Sequence, residues 1–133
     1  MTTATKALID TGAPRTIFPR GTGDLLGIGF PDYPSQAETK IGLLGHRWNA
    51  VTTTVTLALH PHNEPTWEAE VDFVVEEGLP FALLGYEGFF NQWAVGVDGY
   101  HGYFTVEPVE EFDARQPPTV REQLRGGWPE LGA

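Results

Sequence analysis

Asp10, Thr11 and Gly12 are the residues most able to do chemistry. They follow the apolar run Ala7-Leu8-Ile9 and lead into Ala13. An apolar run ending in an acid, a hydroxyl and a glycine reads as a buried strand that passes into a tight turn, with a carboxylate at its tip. Gly12 lets the backbone fold back closely, and Thr11 can tie the turn down through its hydroxyl. A carboxylate so placed can act as a general base or acid. The other acids lack this setting: Asp24, Asp72 and Asp98 stand in polar or exposed-looking contexts, and Asp98-Gly99 is a hairpin signal. His60-Pro61-His62 suggests a metal, but a site needs further ligands, and His46 and His101 stand at unrelated places. This segment is expected to be a polar loop, with no metal and no cofactor. Ser35, between Pro34 and Gln36, is the sole serine and carries no nucleophile motif, and Gly21-Thr22-Gly23 lacks the pattern of a phosphate-binding loop.

The elements that must hold Asp10 can be read from the pattern. Lys6 to Ile9 is the strand feeding the turn. Pro19 to Gly23 is a breaker cluster, with room for a short helical turn from Asp24 to Gly27, and Phe30 to Ser35 is a loop with two prolines. Glu38 to Ile41 and Trp48 to Leu59 are the arms of a hairpin whose tip is Gly42-Leu43-Leu44-Gly45-His46-Arg47. The second arm puts Val51, Thr53, Val55, Leu57 and Leu59 on one face, a half-buried strand with period two. Thr66 to Val75 alternates likewise, with Trp67, Ala69, Val71, Phe73 and Val75 inward and Glu68, Glu70 and Asp72 on a solvated face. Leu79 to Leu84 is nearly all apolar, a strand buried on both faces. Gly85 to Trp93 is the one convincing helix, with Phe89, Phe90 and Trp93 on its apolar face. Ala94 to Asp98 and Gly102 to Val106 form a second hairpin, and residues 108–133 make a Pro-rich, acidic tail with one turn at Val120 to Leu124.

Composition narrows the classes. A length of 133 residues with 41% hydrophobic content suits one core-bearing domain. With 18 acidic against 8 basic residues, the net charge of −10 disfavours nucleic acid, and no basic cluster offsets it. The absence of cysteine removes disulfides, thiolate zinc sites and a thiol nucleophile. No run has the length of a membrane span and no signal-peptide pattern opens the chain, so a cytoplasmic domain without a membrane partner is expected.

Asp10-Thr11-Gly12-Ala13 after a hydrophobic run, with Leu83-Leu84-Gly85 about seventy residues later, resembles the retropepsin-like aspartic proteases. Tyr86 to Trp93, Val95 to Asp98 and Tyr103 to Val106 are similar to the bacterial branch of that family, and the resemblance covers roughly residues 5–107. It implies an all-β, closed, barrel-like acid-protease fold with a flap hairpin and one short helix. It makes Asp10 catalytic, gives Thr11, Gly12, Ala13, Leu83, Leu84 and Gly85 the support of the active-site loop, and puts Gly42, Leu43, Leu44 and Gly45 on the flap over a peptide or protein substrate. The family builds its site from two chains, each giving one aspartate, and Thr11 would cross-link the two loops. This chain carries a single Asp-Thr-Gly, so a homodimer is expected. Two departures stand out: only nine residues precede Asp10, and Pro14 follows Ala13. The alternative expectation is a catalytically inactive, protease-like binding or dimerisation module.

Overall fold

The computed structural model describes residues 2–43, 45–61 and 63–119. Leu44 of the expected flap, His62 and the expected turn at Val120 to Leu124 lie outside these residues. Contacts divide the chain into residues 1–91 and 92–133.

The first unit is built on one curled, mixed sheet of six strands. These are β1 (Ala7–Ile9), β2 (Ile17–Phe18), β3 (Thr39–Leu43), β4 (His46–Ala58), β5 (Thr66–Val74) and β6 (Ala82–Leu84), in the order β1-β6-β2-β5-β4-β3. The protein is all-β in character, with two short helices among the described residues. The six strands do not close into the expected barrel: β1 and β3 are the two edges of an open sheet.

The alternating strands form as their pattern predicts. β4 and β5 pair antiparallel along nine residues, from Ala50 opposite Val74 to Ala58 opposite Thr66. Their inward side chains, Val55, Leu57, Trp67, Ala69, Val71 and Phe73, pack with Phe18 and Ala82 on one face of the sheet. On the other face Ile17, Val74, Leu79 and Leu83 form a second cluster, joined by Ile41, Leu43, Trp48 and Phe81. Burial on both faces explains one correction. Asp72, expected on a solvated face, is fully buried, because only Glu68 and Glu70 of that row reach solvent.

Other expectations change as well. β1 is not buried: Ala7 and Leu8 are exposed, Leu8 at 51%, because β1 is an edge strand. Within Leu79 to Leu84 only Ala82–Leu84 is strand. The β3–β4 hairpin runs further than expected, with its pairing continued to Leu43 opposite His46.

Gly85 to Trp93 is not a helix. Gly88 stands at φ +96°, a conformation that ends right-handed helix, and the amides of Phe90 and Asn91 reach back five residues to the carbonyls of Gly85 and Tyr86. The apolar spacing serves a wide turn instead. Phe89 is fully buried with its ring 6.3 Å from that of Trp67, whose indole N–H donates to the Gly88 carbonyl at 2.8 Å. Conversely, the expected breaker cluster holds helix α1 (Arg20–Leu25) despite two glycines. One pair within the helix, Arg20 to Asp24 at 3.0 Å, and two contacts outside it hold α1: Arg20 donates to the Val75 carbonyl at 2.8 Å and lies over the Phe30 ring at 4.1 Å.

In the second unit β7 (Trp93–Asp98) and β8 (Tyr103–Pro108) form the expected hairpin. Asp98 closes its turn, accepting from the His101 amide at 3.0 Å and facing its Nδ1 at 2.8 Å. The amide bond first, and the ring second, hold the Asp98 carboxyl below the usual carboxylate range. Helix α2 (Val109–Arg115) then opens the stretch expected to be tail, with Glu110 and Glu111 in its first turn, Arg115 in its last, and an Arg115–Glu107 ion pair.

Candidate active site

Asp10 follows β1 directly and is held on three sides. Its amide donates to the Leu84 carbonyl at 3.0 Å, its carbonyl accepts from the Ala13 amide at 3.2 Å, and its Oδ1 accepts from the Gly12 amide at 2.9 Å. The turn is therefore an Asx-type loop that keeps the half-buried carboxylate at its tip. Thr11 and Gly12 are exposed, and Ala13 is buried.

Leu83-Leu84-Gly85 lies against this loop. β1 and β6 run parallel, with Leu8 opposite Leu83 and Ile9 opposite Leu84. Beyond them two more bonds continue the lacing: Tyr86 N–H to Ala13 C=O at 2.9 Å and Glu87 N–H to Pro14 C=O at 3.0 Å. Gly85 sits where no other residue fits. A Cβ there would stand 2.3 Å from the Arg15 carbonyl oxygen and 2.6 Å from that of Ala13. The two segments, about seventy residues apart in the chain, thus meet backbone to backbone.

Three residues complete the arrangement: Thr16 and Arg15, on which the sequence reading is silent, and Asp72, which it sets on a solvated face. Thr16 is fully buried; its Oγ1 accepts from the Gly85 amide at 3.2 Å, its amide donates to the Glu87 carbonyl at 3.0 Å, and its carbonyl accepts from the Asp72 amide at 3.0 Å. Arg15 extends from the same loop to β5. Its Nε donates to Asp72 Oδ2 at 2.7 Å and its Nη2 to Asp72 Oδ1 at 3.1 Å, a two-pronged pairing, with Glu70 Oε1 at 3.3 Å from Nη2. The bond to Asp72 is the main reason that the Arg15 guanidinium holds its proton more tightly than usual, against an opposing effect of burial. A sequence signal for Asp72 did exist. It interrupts Val71-Asp72-Phe73-Val74-Val75, and a lone acid inside such an apolar run calls for a buried partner.

The hairpin residues stand on a separate element. Gly42 and Leu43 end β3 and Gly45 follows at φ +75°. Gly42 and Gly45 are exposed; Leu43 is half-buried, and its carbonyl accepts from the Trp48 indole at 3.1 Å. An open groove near the tip is lined by His46, Arg47, Trp48, Glu76, Glu77 and Gly78, and does not contain Asp10.

Among the described residues no group of three or more His, Cys, Asp or Glu side chains could hold a metal ion, and no helix is long and apolar enough to cross a membrane. No family model, curated protein or solved structure matches the chain.

Proposed function

We propose that this chain is an aspartic endopeptidase of the retropepsin type, whose site forms between two copies with Asp10 of each as the catalytic pair. The observation that carries the reading is the interlock of Asp10–Ala13 with Leu83–Gly85, which holds one carboxylate at the end of an edge strand. A lone carboxylate is a weak catalyst of peptide hydrolysis. Two at close range cannot both ionise, so they share a proton. The ionised member then takes a proton from a bound water while the protonated member polarises the scissile carbonyl. The water oxygen bonds to the carbonyl carbon, the C–N bond breaks, and the amine leaves with a proton from the pair. The apparent pKa values belong to the dyad and not to either aspartate.

The arrangement supports this in two further ways. Among the described residues β1 is an edge strand that exposes Leu8 beside the Asp10 turn, an edge to which a second copy would add. The curled, open sheet would be one half of an acid-protease fold, and β3–β4 the flap over an extended peptide bound by its backbone. Substrate would be peptide or protein, with no cofactor.

Asp10→Asn tests the reading. The amide keeps the shape and can still accept from Gly12, but it cannot act as base. Cleavage of a denatured protein by the natural chain, across acidic to neutral pH, should be lost in the variant with its circular dichroism unchanged. Activity close to that of the natural chain in Asp10→Asn would refute it. A natural chain that forms dimers and cleaves nothing would instead be the binding or dimerisation module.

A further inference from the structure

The two ends of the candidate site, the Asp10 loop and the β3–β4 hairpin, are joined by one line of hydrogen bonds. Asp72 is its centre. This carboxylate is fully buried on β5 and takes both prongs of Arg15 from the Asp10 loop. Its Oδ1, which takes one of those prongs, also accepts from Thr52 Oγ1 of β4 at 2.7 Å, and Thr52 Oγ1 lies 3.0 Å from Thr39 Oγ1 of β3. A hydroxyl has one proton to give. With the Thr52 proton on Asp72, Thr39 must donate to Thr52, so the chain has a single sense: Thr39 to Thr52 to Asp72, with Arg15 donating to both oxygens of the same carboxylate.

A fully buried carboxylate is costly unless its oxygens are satisfied, so it fixes the groups that satisfy it. Arg15 is the residue whose own carbonyl packs on Gly85, two residues beyond Ala13. Thr39 opens β3 opposite Ala50 of β4, so Thr39 and Thr52 stand at the base of the hairpin, away from its tip. We propose that Asp72 is a positioning residue that couples the Asp10 loop, through Arg15, to the base of the β3–β4 hairpin, through Thr52 and Thr39. Movement of the hairpin would then be felt at the loop that carries the carboxylate. The proposal gains its functional meaning from the protease reading, but the coupling itself is a property of the fold.

The test therefore reads the loop and not catalysis. Amide hydrogen exchange of the full chain is followed at Ala13, whose N–H bonds within the Asp10 turn, and at Tyr86, whose N–H bonds to Ala13. Thr52→Val removes the hydroxyl but keeps the shape, and should speed exchange at both amides by about threefold, the share of one net hydrogen bond. Thr52→Ser restores a donor and should return the rates to those of the natural chain. Thr54→Val, on the exposed part of the same strand, should change nothing. Asp72→Asn should act more strongly than Thr52→Val. The amides of Val55 and Ala69, further along the β4–β5 ladder, should hold their rates in Thr52→Val. Equal acceleration at all amides would make the hydroxyl merely stabilising and overturn the proposal, as would unchanged loop rates or failure of Thr52→Ser to rescue. A chain that shows the loop effect but cleaves nothing would refute the protease reading and leave the coupling standing.

Discussion

Gly85 has room for a hydrogen and nothing larger. The atoms that a Cβ would meet are backbone carbonyls of Ala13 and Arg15, which cannot rotate aside as a side chain can. Gly85→Ala should therefore push β6 from the Asp10 loop, at a cost of about 1–3 kcal/mol or more. Gly21 offers the opposite case. It lies exposed within α1, and a methyl group added there would meet no atom within 4 Å. Gly21→Ala should therefore stabilise by about 0.5–1 kcal/mol, through helix propensity and a restricted unfolded chain. Denaturant titration of the two variants should give shifts of opposite sign, and a neutral Gly85→Ala would mean that the two loops are not in contact. At this scale the sequence discloses Asp10 and Leu83-Leu84-Gly85, because each is a local pattern of apolar run and glycine. It hides the ion pair. Arg15 and Asp72 are 57 residues apart, and alternation along β5 counts Asp72 with Glu68 and Glu70, although from Val71 onward the strand is buried on both faces.

Among the elements, the long alternating strands were legible and the short helices were not. β4 and β5 declare themselves because half-burial imposes period two over many residues. α1 has too few residues for periodicity and two glycines against it, and it exists through Arg20 contacts with Val75 and Phe30, which lie outside the helix. The Phe89 and Phe90 spacing signals an apolar cluster correctly, but a helix and a wide turn place such neighbours alike. The β3–β4 hairpin carries its own test. Its two tip glycines differ: Gly45 stands at φ +75°, whereas Gly42 has an ordinary φ and open space around it. Gly45→Ala should cost about 1–2 kcal/mol, the penalty of a left-handed backbone for an L-residue. Gly42→Ala should be neutral or stabilising, by up to about 1 kcal/mol. Gly42→Ala is thus the clean probe of a flap. It should slow turnover of a peptide substrate with no loss of stability in thermal unfolding, and unchanged turnover would mean that this strand end does not meet substrate.

For the molecule as a whole, net charge would bear on the proposed assembly. Two chains of net charge −10 repel each other as they meet, so the proposed dimer should form more tightly as salt rises and screens that repulsion. Sedimentation at low and at physiological ionic strength should show the dissociation constant falling with salt; a constant that rises would point to an interface held by ion pairs. Acid acts in the same direction, because protonating carboxylates lowers the net charge. An acidic optimum of cleavage could therefore come from assembly or from the shared proton of the dyad, and the two are separable. At chain concentrations well above the dissociation constant measured at each pH, assembly is saturated and only the dyad can shape the profile, which should remain bell-shaped. Under those conditions excess Asp10→Asn chain, mixed with natural chain, should depress activity below that of the natural chain alone. Mixed dimers hold one carboxylate and one amide, and neither half can supply both the base and the acid. With the variant in about tenfold excess, random pairing leaves about one natural chain in eleven with a natural partner, so activity should fall by roughly tenfold. Activity that follows only the amount of natural chain would place the whole site within one copy.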